Sequence, residues 1–315
     1  MSSDSLILSV FYNDASFIFV LSGFIYQSPS RNDSITSIRY RTLLMELSCR
    51  APYLIFLNGF PMKTQAKNSV PVLNKKKQRK TLIIVPTYNE IENLENVYGQ
   101  ITNAAKACHI LIIDDGSPDG TGKLADKIAK KDKRVEVMHR AGKLGLGTAV
   151  TAGFHFALDR RYELILTIDA DLSHNPSYIP QMISLMDEYD LVIGSRYIRD
   201  GGMVNWSLPR LLISLFTNYM LKKILGMEMK DCSGGFKCYT AELIRKINVD
   251  RVISPGYVFY VEILYRAVRA GARVKEIPII FVNRRQGKSK LHIREVIGYA
   301  VSVFRLRWLT LIGRL

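Results

Sequence analysis

Cysteine is scarce in this chain, and what there is does not cluster: Cys49, Cys108, Cys232 and Cys238 form no C-x-x-C pair and have no histidines at zinc-ligand spacing. A structural zinc site and a disulfide framework are both excluded on that pattern, and a reducing, cytosolic compartment is the default. Long uninterrupted apolar runs are also missing. Leu6–Tyr12 and Phe17–Tyr26 are separated by Asp14 and follow no basic segment, and Leu43–Phe60 is broken by Glu46 and Arg50. None of the three reads as a convincing signal peptide or membrane anchor. Acidic residues are few, 28 against 44 Lys and Arg, which leaves a formal net charge of +16. Such an excess suits a phosphate-rich ligand, an anionic lipid surface or nucleic acid, and charge alone does not choose among them.

What is present is enough apolar material, 48% of 315 residues, to build a buried core. The character changes near residue 80. Residues 1–80 lack a sustained period and end in a basic run, Lys75–Lys80. They read as a weakly structured extension, and Met62 as an alternative start. From Thr81 onward, short apolar strands alternate with amphipathic helices. Strands are expected at Thr81–Val85, His109–Ile113, Val135–Met138, Leu164–Ile168 and Leu191–Gly194, with helices at Ile91–Ala107, Thr121–Lys130, Gly147–Leu158 and Tyr178–Asp187. This is the pattern of an α/β, Rossmann-like, mostly parallel sheet with helices on both faces. Ligands in such folds bind at the carboxyl ends of the strands.

Polar motifs stand at those ends. In Pro86-Thr87-Tyr88-Asn89-Glu90, the proline is expected to end the ladder, with Tyr88 packing on a base or ribose and Glu90 accepting from a hydroxyl. An ordinary helix cap by Asn89 or Thr87 is the alternative. Asp114-Asp115-Gly116-Ser117-Pro118-Asp119-Gly120-Thr121 puts two acids before a tight turn, where they are costly without a partner. A nucleotide base would suit Asp115. Asp169-Ala170-Asp171 follows an apolar strand, and residues i and i+2 of an extended chain face the same way. Asp169 and Asp171 could therefore share one divalent cation, and hard oxygen ligands favour magnesium or manganese. His174 reads as a turn or surface histidine. The basic, glycine-rich loop His139–Thr148 suits phosphate but lacks the P-loop pattern.

Arg196, at the tip of Leu191–Gly194, could fork onto phosphate oxygens. Glu262 either shapes a sugar or acceptor site or is a helix-surface glutamate. Arg284 and Lys290 lie in a basic loop able to close over a pyrophosphate. Leu208–Leu225 and Ile293–Leu315 are apolar stretches with basic edges, as expected of helices resting in a lipid interface or packed on the sheet.

Taken in order, Pro-Thr-Tyr-Asn-Glu, Asp-Asp-Gly-Ser-Pro-Asp-Gly-Thr, Gly-Leu-Gly-Thr-Ala, Asp-Ala-Asp-Leu-Ser-His, Gly-Ser-Arg-Tyr and the closing Gly-Lys-Ser-Lys-Leu resemble the dolichol-phosphate mannosyltransferases, polyprenyl-phosphate glycosyltransferases of family 2. The resemblance implies a GT-A fold over residues 81–291, followed by a basic amphipathic helix over 292–315. It implies inverting transfer of mannose from GDP-mannose to dolichyl or another polyprenyl phosphate, with magnesium or manganese. The product would serve protein glycosylation and GPI-anchor assembly. The enzyme would be peripheral on the cytosolic face of a membrane, through interfacial helices or small membrane subunits.

By the same resemblance, Pro86, Tyr88, Glu90, Ile113 and Asp115 surround the nucleotide. Asp169 and Asp171 hold the metal, Ala170 lies beside the ribose, and Arg196, Arg284 and Lys290 meet the phosphates. Asp171, Arg284 and Lys290 carry the catalysis. Two positions depart from the family: Gly235 stands where Asp-x-Thr-Gly-Ser-Phe has serine, and Asn283 where aspartate is common. Three rival expectations remain. One is the same chemistry with UDP-glucose, another a metal-dependent nucleotidyltransferase, and the last a nucleic-acid module, which the acidic strand tips disfavour.

Overall fold

A computed structural model describes residues 7–13, 16–22, 79–254, 256, 258–283 and 293–314. Strands β1 (Ile7–Asn13) and β2 (Ser16–Ser22) precede β3 (Thr81–Thr87), α1 (Leu94–Ala104), β4 (His109–Asp114), α2 (Thr121–Lys131), β5 (Val135–His139), α3 (Leu146–Asp159) and β6 (Leu164–Thr167). There follow α4 (Ile179–Ser184), β7 (Leu191–Ser195), β8 (Gly202–Trp206), α5 (Leu208–Leu225), β9 (Lys237–Thr240), α6 (Ala241–Ile247), α7 (Val258–Arg269), β10 (Val274–Pro278), β11 (Ile280–Val282) and α8 (Ile293–Leu311).

The main sheet has the order β10-β7-β9-β6-β3-β4-β5. Its strand residues alternate between two cores, one on each face. Leu82, Ile84, Leu111 and Ile113 join α3, α6 and α7 on one side, while Ile83, Val85, Ile110 and Ile112 join α1, α2 and α4 on the other. The sheet is mostly parallel, as expected, and β9 alone among its strands runs antiparallel, between β6 and β7. Its four residues, Lys-Cys-Tyr-Thr, carry no apolar run, so the sequence pattern does not announce a strand.

A second sheet has the order β11-β8-β1-β2. Part of the extension, expected to be weakly structured, thus forms a hairpin paired with β8 through Leu8↔Trp206 and Phe11↔Gly202. The two strands fall on the apolar runs Leu6–Tyr12 and Phe17–Tyr26, whose pairing with distant β8 no local pattern announces.

Candidate active site

Pro86 does not end its ladder, because β3 continues through it, pairing Pro86 with Ile113 and Thr87 with Asp114. β6 pairs with β3 only as far as Ile84. The carbonyl of Ile84 faces β6 and that of Thr87 faces β4, so Pro86 turns its missing N–H toward the side where β6 has already stopped. The following turn is stitched to the next strand's turn. The amides of Asn89, Glu90 and Ile91 donate to Ser117 Oγ (3.0 Å), Thr121 Oγ1 (2.9 Å) and Asp119 Oδ2 (3.2 Å). Neither Thr87 nor Asn89 caps α1, which starts only at Leu94. Glu90 accepts from Asn93 Nδ2 at 2.7 Å. Half-buried Tyr88 has Lys143 Nζ 4.3 Å from its ring centroid, so the basic loop reaches the proposed base platform.

The acids at the end of β4 have found partners within the chain. Asp114 accepts from Ser117 N (3.1 Å) and Oγ (2.6 Å). Asp115, expected to face a base, pairs with Arg140 at 2.6 Å and accepts from the Gly145 amide at 2.8 Å. Arg140 also donates to Thr148 Oγ1 at 2.7 Å. The Asp115 carboxylate is thus the tether of the glycine-rich loop. Gly116, at φ +72°, brings the two loops into backbone contact: a Cβ there would lie 2.7 Å from Gly142 Cα. The Ile113 side chain is fully buried beneath this tip.

β6 stops at Thr167, so Asp169 and Asp171 lie past the strand and not within an extended run. A turn containing Leu172 at φ 61° replaces the simple same-side geometry. Asp171 Oδ1 accepts from the Ser173 amide at 3.1 Å and from its hydroxyl. The Ala170 side chain packs into the core between the two carboxylates. His174 is corrected from surface to interior. It stacks on Phe236 at 5.2 Å, meets Phe281 edge-on, and holds Nδ1 3.6 Å from Asp169 Oδ2. Burial lowers its pKa to about 4, against the opposing pull of Asp171.

Arg196 is in place at the end of β7, but its fork is already engaged. Nε and Nη2 donate to Asp231 at 2.7 Å each, and Nη2 also reaches Ser233 at 3.1 Å. Burial pushes Asp231 upward and Arg196 more than offsets it, so the acid stays below the usual carboxylate range. Arg196 therefore organises the Asp231–Phe236 turn. On its other side are Trp206 and Phe281, each ring centroid 5.5 Å from the guanidinium carbon. Arg210, which sequence reasoning missed, stacks over Trp206 at 4.4 Å and donates to Asn283 Oδ1 at 2.6 Å. The Tyr197 hydroxyl meets Ser214 Oγ at 2.6 Å. A cationic, aromatic wall thus runs from β7 into α5. The Pro-Arg at the start of an apolar helix was its only trace in the sequence.

Lys237, also missed, is fully buried, with Nζ donating to the Gly234 carbonyl and 5.2 Å from the Tyr260 ring. Burial lowers its pKa to about 8, partly opposed by Asp231. Gly235, the family departure, has a direct cause: a Cβ there would come within 2.9 Å of Tyr260 Cε2 and 3.4 Å of Asp169 Oδ1. Glu262 is not a helix-surface residue. It is fully buried, pairs with Arg266 at 2.8 Å and accepts from the Ser254 amide at 2.9 Å. Arg284 and Lys290 lie outside the described residues.

Among the described residues, no three His, Cys, Asp or Glu side chains cluster as a complete metal cage. Asp169 and Asp171 supply hard oxygens only, which fits magnesium or manganese completed by phosphate oxygens of a ligand.

The profile of Glycosyl transferase family 2 matches residues 82–248. The polyprenol monophosphomannose synthase of Mycolicibacterium smegmatis is 43% identical over 222 residues, 69% of this chain and 84% of that protein. The undecaprenyl-phosphate mannosyltransferase of Micrococcus luteus is 42% identical over 229 residues, 73% of this chain and 93% of that one. Among solved structures, glucosyl-3-phosphoglycerate synthase from Mycobacterium tuberculosis, in complex with Mn2+, UDP and glucosyl-3-phosphoglycerate, aligns with a TM-score of 0.52 at 18% identity, covering 75% of this chain and 80% of that chain. Mannosyltransferase PcManGT from Pyrobaculum calidifontis, in complex with GDP-Man and Mn2+, aligns at 0.51 and 15% identity, covering 73% and 65%. Those two likenesses concern the fold.

Proposed function

The chain belongs to glycosyl transferase family 2, has the GT-A fold and transfers mannose to a polyprenyl phosphate, and we propose that GDP-mannose is the donor and that transfer inverts the anomeric centre. The observation that carries this reading is the pairing of two opposed features at one sheet edge. Asp169 and Asp171 stand just past β6, and a cationic wall of Arg196, Trp206 and Arg210 stands just past β7.

Asp169 and Asp171 would hold magnesium or manganese, which supplies positive charge to the donor's diphosphate. Tyr88 takes the base side of the donor, with Lys143 over its ring. The wall around Arg210 and Ser214 takes the acceptor's phosphate, where α5 begins. An acceptor oxygen attacks the anomeric carbon from the face opposite the diphosphate. The glycosidic C–O bond breaks, and its electron pair leaves on the β-phosphate of GDP. The acceptor phosphate is already an anion at neutral pH, so the reaction needs neither an enzyme nucleophile nor a strong base. The chain's contribution is orientation and charge, and Arg284 and Lys290 are assigned to the departing diphosphate.

The lipid acceptor requires a membrane surface. Leu208, Leu212, Phe216 and Tyr219 on α5 and Val301, Phe304, Trp308 and Leu311 on α8 are all more than half exposed. Their spacing of three and four residues makes a stripe on each helix, and the two helices pack together. Among the described residues, no helix is long and apolar enough to cross a bilayer. These stripes are assigned to peripheral seating in the lipid interface.

Labelled sugar transfer from GDP-mannose or UDP-glucose to a polyprenyl phosphate, with chelator or added magnesium, tests the reading. Chelator-sensitive transfer from GDP-mannose alone is the expected result. Preference for UDP-glucose would overturn the donor assignment, and chelator-resistant turnover would overturn the metal.

A further inference from the structure

A cavity of about 380 Å3 opens where α7 and α8 meet the turn at Val249–Arg251, lined by Arg251, Ile253, Arg266, Arg305, Leu309 and Arg314. No residue of the strand tips takes part in it. Its walls are set: Leu306 is buried against α7, the Tyr265 hydroxyl donates to Thr310 Oγ1 at 3.0 Å, and Arg314 is turned back by its amide bond to the Leu309 carbonyl at 2.8 Å.

Four arginines line this space and no acid does. Glu262 neutralises Arg266 from below, and Arg266 also donates to the Arg251 carbonyl at 2.7 Å. The nearby Asp250 is taken by His155 at 2.7 Å. Among the described residues, Arg251, Arg305 and Arg314 have no carboxylate partner within ion-pair distance. Gathering like charges this way is unfavourable unless an anion joins them. Arginine forks match phosphate oxygens in particular. One rim of the cavity is apolar: Ile253 is 43% exposed, and α8 continues it with Phe304, Trp308 and Leu311.

We propose that this cavity binds the phosphate headgroup of an anionic phospholipid, with the lipid's apolar part lying along the exposed stripe of α8. It rests on the membrane-surface reading above and adds to it a specific lipid site apart from the acceptor. Continuity with the α8 stripe favours a lipid over a free phosphate ion.

Flotation of the full chain with phosphatidylcholine vesicles, plain or doped with phosphatidic acid, tests the site. Doping should strengthen binding, and the double variant Arg305→Gln/Arg314→Gln should weaken binding to doped vesicles about 30-fold while leaving plain vesicles unaffected. Lys130→Gln/Lys131→Gln, exposed on α2, should change neither. Arg305→Lys/Arg314→Lys keeps the charge but loses the fork, and should still bind doped vesicles several-fold more weakly than the unaltered chain. Wild-type binding by this lysine variant, or equal losses at Lys130 and Lys131, would overturn the site in favour of a diffuse field. In calorimetry, short-chain phosphatidic acid should bind and inorganic phosphate should not; equal binding of both would overturn the lipid assignment. Transfer to a detergent-dispersed acceptor separates the two readings, because its absence in the unaltered chain would sink the proposed function and leave the vesicle result standing.

Discussion

Asp231 has no exposed surface and depends on Arg196 for its charge. Breaking such a pair leaves a buried charge without its counterpart, so Asp231→Asn should cost about 3–5 kcal/mol in urea unfolding. The sign with pH follows from the lowered folded value. The Asp231 contribution is full above the unfolded carboxylate value of about 3.9 and is lost as pH falls through the depressed folded one. Unfolding curves between pH 5 and 2.5 should therefore slope less steeply in Asp231→Asn than in the unaltered chain. Asp171→Asn should lower kcat at least about 100-fold with an unchanged thermal melt; undiminished turnover would overturn the metal assignment. Which of the charged groups at the strand tips are engaged within the chain was only half legible beforehand. Asp169 and Asp171 stand out in the sequence by their position after an apolar strand, whereas Asp115 and Arg196 have partners, Arg140 and Asp231, that lie 25 and 35 residues away.

Loops and helices set the next level. Gly116 and Gly142 touch backbone to backbone, and Asp115 ties the same loop through Arg140. Gly116→Ala needs both a positive φ and space that Gly142 already fills, so it should destabilise by about 1–3 kcal/mol. It should also raise KM for the donor more than it lowers kcat, since the loop carries Lys143 to Tyr88; an unchanged KM would detach the loop from donor binding. On α8, Phe304→Ser/Trp308→Ser removes two large exposed side chains from the stripe. Sedimentation with vesicles should fall about 10-fold or more, while kcat in detergent is kept. An equal fall in both would place these side chains in the chemistry instead. The bounds Leu208–Leu225 were readable because apolar residues recur along the whole run and Gly226 ends it at φ +67°. The start of α1 was not, because the residues just before it, Glu90 and Ile91, are held by side chains of another loop.

For the whole molecule, the two cores of described residues run from Leu82 onward, one on each face of the main sheet. The hairpin of β1 and β2 adds to the small sheet at β8 and not to the main one. A chain beginning at Met62 should therefore keep a cooperative melt within a few degrees of the full chain, a loss of about 1 kcal/mol or less. Loss of cooperativity would show that the hairpin is part of the folding unit. The same architecture places the basic excess unevenly, since Arg251, Arg305 and Arg314 meet at the junction of α7 and α8, although Arg251 is far from the other two along the chain.

By itself the sequence determined the alternation of strands and helices, the two-faced sheet and the acidic tips, because these follow from periodicity and from residues adjacent in the chain. Only the tertiary structure decided that β9 runs antiparallel, that His174 and Glu262 are interior, and that Arg196 is spent on Asp231. The physical reason is the same in each case. Burial and ion pairing depend on which distant segment arrives to exclude water or supply the opposite charge, and no local pattern encodes that arrival.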